Sequence, residues 1–162
     1  MSRNISKYRL KKATEHLAYE IINFYEILFR LIQSNLRQDD VNILLDSFVI
    51  HTRNLFDFFY PKKRGLRSDD MVVCDYIRNY RSFNTNKTKK QDLIFIIKKA
   101  DKQMAHLTYT RNRYSPKNNK GWPFVDIARK MTKTIIAFYN LLPNSYKSWP
   151  YIKLIKEIID KV

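Results

Sequence analysis

Glycine is almost missing from this chain, with two residues in 162, and there is one cysteine. So little glycine leaves no phosphate-cradling loop, and no P-loop, G-x-G-x-x-G, G-x-S-x-G or H-E-x-x-H pattern occurs. The single Cys74 has no second thiol for a disulfide or a zinc site, which fits a reducing cytoplasm, and a small buried side chain is expected there. Long apolar runs are missing too. The longest strongly apolar one, residues 93–97, is five residues, against about 20 needed to cross a bilayer. The basic stretch 1–12 is not followed by an apolar segment, so neither a signal peptide nor a membrane span is expected.

Acids are scarce: 15 Asp plus Glu stand against 31 Lys plus Arg, and only Glu15, Glu20, Glu26 and Glu157 are Glu. Helical Mg²⁺-dependent hydrolases need clustered carboxylates, and no E-x-x-E pattern is present. No metal and no cofactor is expected. Even if every acid took one cation, sixteen positive charges would remain. This surplus favours nucleic acid as partner over an anionic membrane surface, although Lys, Asn, Ile, Tyr and Phe are also what AT-rich coding would enrich.

What is abundant is helical periodicity. Over residues 6–34, Leu10, Ala13, Leu17, Tyr19, Ile21, Phe24, Leu28, Leu31 and Ile32 recur at three- and four-residue steps without Gly or Pro, predicting one long helix. Asp39 or Asp40 is the expected cap of a second, whose stripe of Val41, Leu44, Leu45, Phe48, Leu55, Phe56 and Phe59 stops before Pro61. A basic loop at 61–68, a short helix from Ser68, Asp69 or Asp70 to about Tyr80, and a second basic loop at 82–90 come next. Further helices are expected at 91–109, from Trp122-Pro123 to Leu142, and after Ser148, with a polar connection at 111–121. The expected fold is all-α: a single domain over 1–162 in a bundle of five to six helices.

Two segments carry candidate chemistry. In residues 51–59, His51 follows the stripe of Leu44 and Phe48 and is expected to be at least half buried, while Arg53 lies on the opposite side, four residues before Asp57. In residues 105–111, His106 sits on a flank with Lys99 and Lys102, which disfavour the imidazolium and leave a neutral base, and Arg111 follows at the helix end. A neutral His can take a proton and an Arg can hold a phosphate. Tyr109, Tyr114 and Trp122 could stack bases, packing being the plainer role for Trp122.

The runs H-x-R-N-L-x-D-F-F at 51–59 and A-H-L-T-Y-x-R at 105–111 resemble those of small bacterial helical proteins similar to the HEPN superfamily. That resemblance implies a helical bundle, commonly a two-fold dimer, associated with nucleic acid and in active members cleaving RNA without metal. The superfamily signature is Arg, a polar residue and then His; here Arg53-Asn54 opens it, but Phe58, Phe59 and Tyr60 occupy the histidine positions. A catalytic site would therefore be composite, with His106 as base, Arg111 holding the developing charge, and His51 and Arg53 beside them. The phosphate-binding cations would be Lys62, Lys63, Arg64, Arg67, Lys87, Lys89, Lys90, Arg113, Lys117 and Lys120, joined by Arg111. The functional expectation is a nucleic-acid-processing protein directed at RNA, a metal-independent endoribonuclease in its sharpest form. A non-catalytic nucleic-acid-binding bundle and a helical protein-interaction module are the alternatives.

Overall fold

The computed structural model describes residues 5–33, 35–62, 65–100 and 122–162. Within them the chain is all-helical, with no strand. Helix α1, Lys7–Leu31, starts where Ser6 Oγ accepts the backbone N–H of Arg9 at 3.2 Å, and runs 25 residues with no helix breaker. Helix α2, Gln38–Phe59, has Arg37 at its N-cap position with no side-chain capping bond, and Asp39 and Asp40, the expected caps, lie in its first turn. Carboxylates there meet the positive end of the helix dipole. Pro61 disfavours helical backbone at the residue before it, and Tyr60 leaves the helix at φ −126° and ψ 54°.

The expected helix between residues 68 and 80 is replaced by irregular chain with one 3₁₀ turn, Val73–Asp75. The two acids compete with it locally. Asp70 accepts the backbone N–H of Arg67 at 2.7 Å and Asp75 that of Val72 at 3.2 Å, which holds the chain in turns. Helix α3, Tyr80–Asn86, then begins with Asn79 accepting from the N–H of Ser82, so about half of the expected second basic loop is helical. Helices α4 (Gln91–Ala100), α5 (Phe124–Leu141), α6 (Asn144–Lys147) and α7 (Pro150–Ile159) complete the described chain. These are seven α-helices among the described residues instead of five to six, the single turn of α6 having too little length for a periodic signal.

Helix α1 packs along α2 and touches α5 and α7; α2 also meets α4, and α3 lies on α5. The expected stripes of α1 and α2 and the apolar faces of the later helices supply the interior: Leu17, Ile21 and Phe24 of α1, Phe48, Leu55 and Phe59 of α2, Leu93 and Ile96 of α4, Met131, Ile135 and Phe138 of α5, and Ile152 and Ile155 of α7 are buried. Each contributes about 1.5–3 kcal/mol of apolar burial. Phe138 ties the layers together, its ring 5.6 Å from both Phe58 and Phe59 and 6.2 Å from Tyr76. Tyr19 and Ile32, counted in the α1 stripe from sequence, are instead more than half exposed, and Cys74 is exposed rather than buried. Among the described residues, no helix is long and apolar enough to cross a membrane.

Candidate nucleic-acid interface and histidine site

His51 is nine per cent exposed, on the face of α2 that meets α1. Its Nδ1 stands 2.7 Å from Glu20 Oε2, and Asn54 Nδ2 donates to Glu20 Oε1 at 3.1 Å. An ionised carboxylate can only accept, so the ring proton facing Glu20 sits on Nδ1 and the tautomer is held with Nε2 as the second ring atom. The ring of Tyr19 meets the imidazole edge-on at 5.8 Å. Glu20 follows Leu17 by three residues and precedes Phe24 by four, which sets it at the margin of the apolar face of α1.

Glu20 and Asn54 also form the wall of a cleft of about 520 Å³ between α1, the C-terminal half of α2 and residues 61–62 and 65–72. His16, one helical turn before Glu20, lines the same cleft, as do Lys62 and Arg67. Leu17, Leu55 and Phe58 give it an apolar floor. His51 does not line it. The sequence-derived candidate therefore stands behind Glu20, holding the carboxylate that faces the opening. His16 and Glu20 were missed because neither belongs to a motif. The available signal was a glutamate at the edge of an apolar stripe in a chain with only four.

The remaining candidates separate. Arg53 is half-buried on α2. Lys62 and Arg67 are exposed at the cleft, and Gly65 between them takes φ +83°, a conformation that costs glycine little. Lys89 and Lys90 line a second opening, of about 320 Å³, with Tyr60 and Pro61 on its rim. Pro61 borders both openings, so the turn that ends α2 divides them. Lys87, expected among surface phosphate contacts, is nine per cent exposed. Its Nζ lies 4.1 Å from the centroid of Tyr60 and 4.8 Å from that of Phe83, and donates to the carbonyl of Phe59 at 3.3 Å. Burial pulls its pKa from 10.5 down to about 8. Nearby, the hydroxyl of Tyr60 donates to Thr88 O at 2.7 Å and lies 3.0 Å from Thr134 Oγ1, and burial pushes that phenol up to about 12, a neutral group throughout the ordinary pH range.

His106, Arg111, Arg113, Lys117, Lys120, Tyr109 and Tyr114, together with Lys63 and Arg64, lie outside the described residues. Trp122 is half-buried against the core with Lys99 Nζ 4.5 Å over its ring, and burial holds that lysine's pKa below its usual value. Among the described residues, no group of three His, Cys, Asp or Glu could hold a metal ion. Comparison with protein-family models, with curated proteins and with solved structures finds no match for the chain.

Proposed function

We propose that this chain is a nucleic-acid-binding helical protein directed at RNA, and that the cleft beside Glu20 receives the strand. The observation that supports this most is the composition of the cleft wall. Lys62, Arg67 and His16 can donate to phosphate oxygens, while the Asn54 amide and the carboxylates of Glu20, Asp57 and Asp70, which line the same cleft, can meet base edges. The sixteen-charge surplus supplies the long-range attraction, and Lys89 and Lys90 extend cationic surface past Pro61. In this reading Lys87 takes no phosphate. A two-fold dimer, as the resemblance to HEPN proteins implies, acting in the reducing cytoplasm that a single cysteine suits, completes the proposal.

The test is single-stranded RNA affinity as a function of salt. Engagement of about five phosphates lowers affinity by roughly two to three decades between 50 and 200 mM salt. Replacing Lys62 and Arg67 together by Ala should weaken binding and reduce the magnitude of the log–log slope by roughly 1.4. A flat salt response would overturn the reading.

The resemblance to HEPN proteins implies a second reading, metal-independent cleavage of RNA. In it His106 takes the ribose 2′-OH proton, Arg111 meets the charge developing on the phosphate, and His51 and Arg53 position the surroundings. In EDTA, His106→Ala should slow cleavage by about 10²- to 10⁴-fold with RNA affinity retained. Cleavage by wild type no faster than by His106→Ala and Arg111→Ala leaves the binding protein alone.

A further inference from the structure

Lys87 is a charge without an opposite charge. Among the described residues no carboxylate lies within ion-pair distance of its Nζ, and one protein hydrogen bond, to Phe59 O at 3.3 Å, serves the three donors of an ammonium. Three rings surround it, those of Tyr60, Phe83 and Tyr80 with centroids at 4.1, 4.8 and 5.5 Å. Ring faces attract a cation, but they replace water that would solvate it far better. Removal of water is the larger effect on its proton affinity; Lys90 pushes the same way and Cys74 opposes. An ordinary lysine is almost wholly ammonium at neutral pH, whereas one whose pKa burial draws down to about 8 has a much larger neutral fraction there. Only the neutral amine has the lone pair that attacks carbon.

The surroundings supply the rest of a reaction site. Lys87 lines the 320 Å³ opening on the far side of Pro61 from the RNA cleft, with Tyr80 and Asn84 as polar neighbours. Lys89 is exposed and Lys90 half-exposed at the same mouth. Two ammonium groups beside a desolvated amine suit a molecule carrying both an electrophilic carbonyl and a phosphate.

We propose that Lys87 is a nucleophilic amine that forms an imine with the aldehyde of a phosphorylated sugar, whose phosphate is held by Lys89 and Lys90. The amine lone pair adds to the carbonyl carbon and a proton moves to its oxygen, giving a carbinolamine. The carbinolamine then loses that oxygen as water, with the second nitrogen hydrogen leaving as a proton, and a C=N bond remains. No oxidant or reductant takes part. The aldehyde can belong to a free sugar phosphate or to an abasic sugar within a nucleic-acid strand; the chemistry at Lys87 is the same. This proposal does not depend on the RNA cleft.

The experiment traps the imine on the intact protein. Pyridoxal 5′-phosphate serves as the phosphate-bearing aldehyde, borohydride reduces the imine, and peptide mass spectrometry locates the adduct. The expected result is one adduct per chain, at Lys87, favoured at least tenfold over any other lysine. Pyridoxal without phosphate should react at least tenfold more weakly. Replacing Lys89 and Lys90 together by Ala should bring the phosphorylated probe down to that level. A parallel arm uses a single-stranded oligonucleotide with one abasic site: stronger trapping there than with the small probe identifies the strand as the source, and the reverse identifies the free sugar phosphate. Adducts spread over exposed lysines with Lys87 unmodified would overturn the proposal and leave Lys87 a structural cation. Lys87→Arg keeps the buried cation, so equal total labelling in this variant and in wild type would overturn it equally, whatever happens to a smaller replacement.

Discussion

His51 and Lys87 are equally withdrawn from water, each nine per cent exposed, yet they live in opposite electrostatic company. His51 faces a carboxylate at 2.7 Å, itself braced by Asn54. Lys87 faces rings and a carbonyl oxygen. With only four Glu in the chain, the one at the seam between α1 and α2 is committed to a histidine, and the lysine after α3 is left to burial. The difference separates a side chain that is positioned from one that is destabilised in its charged form. The first kind holds a geometry; the second stores reactivity.

The largest way to test that contrast is to remove the acid. Glu20→Ala is expected to cost about 2–3 kcal/mol, because the nearly buried His51 N–H loses its charged acceptor, while the exposed Asn54 amide can turn to water. A double-mutant cycle with His51→Ala, followed by urea unfolding, should give about 1–2 kcal/mol of coupling. Additive effects would mean the pair is a coincidence of packing.

A somewhat smaller effect is expected at Lys87. Its folded-state pKa lies near 8 and its unfolded value near 10.5, so between these the unfolded chain holds the extra proton and stability rises with pH. The gain across that window is about 1–3 kcal/mol, and is absent below pH 8, where both states carry the proton. Buried Tyr60 and Tyr25, pushed up to about 12, oppose the rise above pH 10, since the unfolded phenols ionise first. The cleaner measure is wild type minus Lys87→Met, which should change with pH between 8 and 10 while the variant stays within about 1 kcal/mol of wild type at pH 7. Identical pH profiles would place Lys87 among ordinary solvated lysines.

The smallest effect belongs to the surface. Lys156 and Asp160 form an i,i+4 pair on exposed chain at the end of α7. Asp160→Asn should shift stability by only a few tenths of a kcal/mol and less at high salt. A larger loss would mean that ion pairing alone, without burial, controls this protein, and the contrast between His51 and Lys87 would lose its meaning.

Much of the architecture is legible in the order of residues alone. The stripe from Leu44 to Phe59 ends at Pro61 because of backbone sterics, and Pro150 takes the first position of α7 because a helix start needs no N–H there. The helix expected between 68 and 80 fails to form for an equally local reason, Asp70 and Asp75 turning to backbone N–H groups, but that competition leaves no periodic trace. In the candidate site, the burial of His51 is readable from its register with Phe48 and Leu55. Its partner is not, and His16, Lys62 and Arg67 share a cleft that no spacing announces.

The helical class, the apolar faces and the surplus of positive charge all follow from residue type and from steps of three and four along one chain segment. That Glu20 meets His51 across 31 residues and that Lys87 is drawn under Tyr60 and Phe83 comes from the packed fold. Those pairings depend on how one helix seats on another, and helix seating is set by the packed shape of many side chains together, which no local pattern contains.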